Sequence, residues 1–145
     1  AKVEIPLHIG DTAEFTKTVS ETDVYLFGGI TGDYSQMHFN EEFMKKTMYG
    51  TRIVHGILTF AIGCTASTKI QEQVKSPVPS ASYGYDRLRF IKPVYFGDTL
   101  TCRYTVDRIE EETNRTFSKL EVFNQHGQIV LAATHILKFF PLEEE

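Results

Sequence analysis

Two side chains that can exchange protons, Asp33 and His38, stand five residues apart in a glycine-flanked segment. A carboxylate and an imidazole are the groups that proteins most often use for general acid/base work. His55 and Gly56 follow seventeen and eighteen residues after His38, where an apolar helix is predicted to begin. The first N–H groups of a helix have no partner inside it, so the Gly56 N–H can face a developing oxyanion. These groups supply what the addition or elimination of water requires.

The same residues also fit an interpretation without chemistry. An Asp five residues before a His is common in ordinary exposed loops. His55 can simply cap or pack at the start of the helix, and Gly56 can serve only to let the helix begin. No spacing of His, Cys, Asp or Glu predicts a metal site. The glycines of residues 28–32 lack the strand, the spacing and the distant acid of a dinucleotide loop. We therefore expect no metal and no redox cofactor.

Composition limits the classes of protein that are possible. The chain has 145 residues, 41% of them hydrophobic, which suits one domain over residues 1–145 with a proper core. The net charge of −4 and the lack of a basic stripe argue against a nucleic-acid partner. The two cysteines, Cys64 and Cys102, lie in different predicted elements and are expected to be free thiols. Without a signal core or an apolar run of membrane-spanning length, we expect no membrane partner and a cytoplasmic location.

Helix signals occur in the first half of the chain. Ser20 with Asp23 forms a capping-box pattern, which predicts a helix that runs to about residues 28–29. A loop carrying Asp33 and His38 follows, and Asn40 begins a short second helix. Residues 56–74 are predicted to form a longer helix that is apolar nearly all round and therefore buried.

Strand signals occur at the start and throughout the second half. Residues 12–19 form the first predicted strand, and the period then changes from 3.6 to 2 after residue 80. The later strands are predicted at residues 81–91, 100–107, 115–123 and 128–140. A doubly wound parallel fold would need helices between these strands, and none is available. The order predicts an α+β fold, with an antiparallel sheet of about five strands wrapped around one long central helix and a short overhanging helical segment.

Four motifs of the chain are TGDYSQMH (31–38), RIVHG (52–56), FIKPV (90–94) and GDTL (97–100). With these motifs the chain resembles the MaoC-like dehydratases, a family that includes the R-specific enoyl-CoA hydratases of the hot dog fold. The resemblance implies that Asp33 and His38 are the catalytic pair and that the Gly56 N–H holds the thioester oxygen. It also implies a homodimer whose sheets join edge to edge, with the acyl tunnel near the subunit boundary.

The chain departs from the family pattern at two places. Ser35-Gln36 stands where the family usually has Asn-Pro between the Asp and the His. Cys64 stands where some relatives carry a Ser near the carbonyl. The resemblance leaves Ser35, His55 and Cys64 as predicted substrate-binding residues, beside the catalytic pair.

The leading hypothesis is a lyase that hydrates enoyl thioesters or dehydrates 3-hydroxyacyl thioesters, carried by CoA or by an acyl carrier protein. A hot dog thioesterase is the second hypothesis, although the first two turns after Gly56 contain no Asp or Glu. A non-catalytic subunit that binds acyl thioesters is the third. The sequence leaves open the acyl chain length, the carrier and the number of subunits.

Overall fold

The structure, a computed structural model, describes residues 1–143. Within this range five strands form an antiparallel sheet in the order β1-β3-β4-β5-β2. The strands are β1 (Thr12–Thr18), β2 (Ser80–Phe90), β3 (Thr99–Glu110), β4 (Arg115–Phe123) and β5 (Ile129–Phe139). The α+β class and the antiparallel sheet predicted from the sequence are confirmed. β1 and β2 are the two edges, and β5 is an interior strand, as its apolar residues on both faces indicated.

The helices lie between β1 and β2 along the chain. They are α1 (Glu21–Thr31), α2 (Gln36–Phe39), α3 (Glu41–Met44) and α4 (Gly56–Val74). The long helix α4 has the bounds predicted from the sequence. It packs against β1, β3 and β4, so the sheet wraps around it. None of the described helices is long and apolar enough to span a membrane.

Side-chain periodicity explains how α4 and the sheet meet. In β3 the alternating residues Leu100, Cys102, Tyr104 and Val106 are all buried. A Cβ atom at Gly63 of α4 would lie 2.9 Å from Val122 Cγ2 of β4. The absence of a side chain at this position therefore lets the helix lie close to the sheet.

The prediction that α4 is buried holds for only one face of the helix in this chain. One face, made by Leu58, Ile62, Ala66 and Ile70, is buried against the sheet. Ile57 on another face is 54% exposed. The reason is that a single five-stranded sheet covers only one side of a helix.

Helix α1 begins as predicted, with Ser20 as N-cap and both bonds of the capping box to Asp23. It continues past the predicted end at residues 28–29 and ends at Thr31, so Gly28 lies inside the helix. There a Cβ would clash with the Phe39 ring, so the glycine serves packing rather than helix termination. Gly32, with φ of 80°, ends the helix in the left-handed region.

The segment predicted as a loop contains the short helix α2, which was not predicted from the sequence. Four residues are too few to show a helical period. Ser35 caps α2 by accepting a hydrogen bond from the Met37 N–H at 3.3 Å. Asn40 then caps α3, as predicted, through the Phe43 N–H at 3.0 Å. His38 thus projects from a capped helical turn.

Candidate active site

Asp33 is held by a chain reversal between α1 and α2. Its N–H donates to Thr31 Oγ1 at 3.2 Å, and its own Oδ1 accepts from the Ser35 N–H at 3.2 Å. The second bond is an Asx turn, in which an Asp side chain replaces a backbone acceptor. The Asp33 residue is exposed, so its second carboxylate oxygen remains available to solvent or substrate.

His38 is buried and has a defined tautomer. Its Nδ1 lies 2.8 Å from the Ile53 carbonyl oxygen. A carbonyl can only accept, so Nδ1 carries the proton and Nε2 of the neutral ring carries a free lone pair. Burial lowers the pKa of His38 below 6.5, and nearby His55 lowers it further, whereas the Ile53 carbonyl and Asp33 oppose the shift. His38 is therefore neutral at neutral pH, the form in which it can act as a base.

His55 holds the backbone of Asp33. It is 2% exposed, and its Nε2 donates to the Asp33 carbonyl oxygen at 3.0 Å. Its ring stacks on His38 with centroids 3.8 Å apart, and Phe27 packs edge-on at 4.9 Å. His55 is also the N-cap residue of α4, although its side chain makes no capping bond. It thus ties the Asp33 loop to the start of the central helix.

The three residues converge on one point. Asp33, His38 and His55 each bring one carboxylate or imidazole atom within 4.8 Å of the others. The two imidazole rings stack with an inclination of 27°. One nitrogen of each ring is engaged by a backbone carbonyl, Nδ1 of His38 by Ile53 and Nε2 of His55 by Asp33. A carboxylate beside a neutral imidazole can exchange protons with a water molecule.

A cavity of about 380 Å³ opens beside this cluster. His38 and Gly56 both line it, and most of the remaining wall is apolar, including Phe90 and Val130. A Cβ at Gly56 would lie 2.9 Å from the Phe90 ring, so only a glycine lets this ring close over the helix start. The cavity therefore brings an imidazole and the positive end of a 19-residue helix to one apolar space.

The other predicted site residues lie around the cavity rather than in its wall. Asp33, Ser35, His55 and Cys64 are not among the lining residues. The Ser35 hydroxyl caps α2, and Cys64 stands about 12 Å along α4 from Gly56 at the usual helical rise. Burial raises the pKa of the Cys64 thiol, which keeps it protonated. Substrate binding by Ser35 and Cys64 stays a prediction.

Two features of the site were not predicted from the sequence: two of the residues that line the cavity, and a group of ion pairs. Thr59 and Phe90 line the cavity, although both carry ordinary signals of a helix and a strand. Arg52 also fixes the segment before His55. Its backbone N–H donates to Glu41 Oε1 at 2.9 Å, and its side-chain Nη1 donates to Glu21 Oε1 at 3.3 Å. The two glutamates lie 11 and 31 residues from Arg52 along the chain, so no sequence pattern could have paired them with it.

Comparisons with known proteins define the class to which this fold and site belong. The family model described as a MaoC like domain matches residues 6–126. An (R)-specific enoyl-CoA hydratase of Rhodospirillum rubrum is 38% identical over 104 residues, which are 71% of this chain and 68% of the relative. A 3-hydroxybutyryl-CoA dehydratase of Methylorubrum extorquens is 34% identical over 140 residues, 96% of this chain and 84% of the relative.

Comparison with solved structures indicates the same family. An unliganded R-hydratase from Pseudomonas aeruginosa superposes with a TM-score of 0.77 at 29% identity, covering 96% of this chain and 88% of that one. The chain belongs to the MaoC-like domain family and has its hot dog fold. The named relatives are hydratases and dehydratases, which are hydro-lyases, the enzyme class predicted from the sequence.

Proposed function

We propose that this protein is a hydro-lyase that adds water reversibly across the 2,3 double bond of an enoyl thioester, with Asp33 and His38 as its acid/base pair. The observation that carries the proposal is the free Nε2 of a neutral His38, beside Asp33 and in the wall of a cavity that Gly56 also lines. Named relatives with hydratase and dehydratase activity support the reaction class.

In the proposed reaction one water molecule lies between Asp33 and His38. Asp33 and His38 take a proton from this water while the water oxygen forms a bond to the β-carbon. The electron pair of the double bond moves toward the thioester, which becomes an enolate. The pair then returns a proton to the α-carbon, so that one water is added and both side chains regain their starting state. Positioned acid/base groups of this kind typically contribute about 100- to 10,000-fold in rate.

The second requirement of this chemistry is a group that stabilises the negative charge developing on the thioester oxygen. The Gly56 N–H stands at the N-terminus of α4, where its donor has no partner within the helix and the helix dipole favours an anion. Removal of one such donor costs roughly 3 kcal/mol in other enzymes. Because all of these groups belong to the chain itself, the proposed reaction uses no cofactor beyond the CoA or acyl carrier protein that bears the substrate.

A homodimer completes the proposal. Large apolar side chains are exposed on α1, α4 and the nearby loops, with Leu26 61%, Ile30 81%, Met48 92% and Ile57 54% exposed. Contiguous apolar surface is typical of protein contacts, and these side chains would be covered by one. We infer that a second copy covers the exposed face of α4 and closes the acyl cavity, with sheets joined edge to edge.

Crotonyl-CoA tests the function directly. We expect loss of the enoyl absorbance without release of free thiol, and near-complete loss of this activity in Asp33→Asn and in His38→Gln. Asp107→Asn and His126→Gln, which change the same residue types at exposed positions of β3 and a turn, are the matched controls and should remain active.

Each other result identifies an alternative. Release of thiol would identify a thioesterase, and binding without turnover would identify a non-catalytic acyl-thioester subunit. Near wild-type turnover in either Asp33→Asn or His38→Gln would refute the roles given to the pair.

A further inference from the structure

The Thr59 hydroxyl is a polar group without an evident structural purpose. Thr59 lies in the wall of the cavity that His38 and Gly56 line, and the residue is only 3% exposed. Its Oγ1 has no hydrogen-bond partner among the described residues. Nearly all buried polar side-chain atoms in proteins have a partner, because an unpartnered one lowers stability. An unpartnered hydroxyl beside a candidate active site suggests that its hydrogen-bond partner is an atom of the bound substrate.

The position of Thr59 in α4 directs its side chain toward the helix start. Side chains of a helix tilt toward its N-terminus, so a residue overlies the one three positions before it, which here is Gly56. A helical threonine commonly turns its hydroxyl back to the carbonyl four residues earlier. The Thr59 N–H does bond the His55 carbonyl, at 3.1 Å, but the hydroxyl makes no such bond. A spare donor thus lies one helical turn after Gly56, whose N–H has no partner within the helix.

We propose that the Thr59 hydroxyl donates a second hydrogen bond to the thioester oxygen of the bound substrate, so that Thr59 and Gly56 together form a two-donor oxyanion site. The inference rests on the proposed hydratase function and deepens it. The hydroxyl serves the carbonyl end of the substrate because Thr59 lies one helical turn after Gly56, whereas the proposed water is held by Asp33 and His38. The oxygen carries more charge in the enolate than in the ground state, so this bond strengthens in the transition state.

Thr59→Val and Thr59→Ser form a matched pair for the kinetic test. Valine has nearly the shape of threonine but no hydroxyl, and serine keeps the hydroxyl. We expect Thr59→Val to lower kcat for crotonyl-CoA hydration by about 100-fold, the effect of losing one oxyanion donor, with a much smaller change in KM. Thr59→Ser should stay within a few-fold of wild type. The urea midpoint of Thr59→Val should be unchanged or higher, because the variant removes an unpartnered buried hydroxyl.

A spectroscopic test reports the proposed contact itself. Crotonyl-CoA bound to the Asp33→Asn variant should show a thioester carbonyl stretch at lower frequency than in water, because hydrogen bonds weaken the C=O bond. Adding Thr59→Val should move this band part of the way back, and adding Thr59→Ser should leave it in place. A purely structural role for Thr59 would not move the band.

The outcomes separate the two proposals. Wild-type hydration with an unchanged kcat in Thr59→Val, or with a carbonyl band that the variant does not move, overturns the role of Thr59 and leaves the hydratase proposal standing. A lower kcat together with a lower urea midpoint in Thr59→Val also overturns it, since that combination indicates a packing role. A wild-type protein that does not hydrate crotonyl-CoA overturns both.

Discussion

Acidification from pH 6.5 to pH 4 should destabilise this protein through one buried side chain, His135 of β5. The residue is 0% exposed, with Nδ1 2.7 Å from the Tyr104 hydroxyl and Nε2 2.9 Å from Ser82 Oγ. Its ring stacks on Tyr85 with centroids 4.3 Å apart. Burial lowers the pKa of His135 from 6.5 to about 4, because the charged ring would lose its hydration.

The sign and the size of the effect follow from proton linkage. Between pH 6.5 and pH 4 the imidazole of His135 is protonated in the unfolded chain and neutral in the folded one. The unfolded state therefore gains protons first, and the free energy of unfolding falls as the pH falls. At 1.36 kcal/mol per pKa unit, a shift from 6.5 to about 4 corresponds to roughly 3 kcal/mol, lost progressively across this window and fully lost below it. That is a large part of the 5–15 kcal/mol typical of a domain.

Urea unfolding at a series of pH values measures this effect. The variant His135→Gln keeps a polar side chain for Tyr104 and Ser82 but cannot titrate. It should be less stable at pH 7, yet its free energy of unfolding should fall by roughly 3 kcal/mol less than that of wild type between pH 6.5 and pH 4. Equal pH slopes for the two proteins across this window would refute the reasoning.

Two further predictions concern the site and the helix that bears it. The hydration rate kcat/KM should fall on the acid side with a pKa below 6.5, because burial lowers the pKa of His38 and only its neutral form is a base; an acid limb centred above 6.5 in the pH–rate profile would contradict this. Gly63→Ala should lower the free energy of unfolding by about 1 kcal/mol, since overpacking against Val122 outweighs the better helix propensity of alanine. Val122→Ala should relieve part of that cost in a double-mutant cycle, and additive effects would show that the contact is not the cause.

The local elements of this fold could be predicted because their signals lie close together in the chain. The capping box of Ser20 and Asp23 spans four residues, and the alternation in β3 repeats every two. Helix α4 has its predicted bounds, and the order of helix and strand signals leaves an antiparallel sheet around a helix as the available arrangement. The motifs around Asp33, His38 and Gly56 also identified the family from the sequence. Their roles in catalysis stay a prediction.

The chemical state of the site was decided by the tertiary structure alone. The tautomer of His38 depends on the Ile53 carbonyl, 15 residues away, and the loop of Asp33 is held by His55, 22 residues away. Neither contact has a periodic or motif signature, because it depends on how α2 and the start of α4 pack together. The same packing puts Thr59 in the cavity wall with its hydroxyl unpartnered among the described residues, and leaves Cys64 outside that wall. Residue types and spacing thus define which groups are available, whereas burial and long-range hydrogen bonds define their protonation and direction.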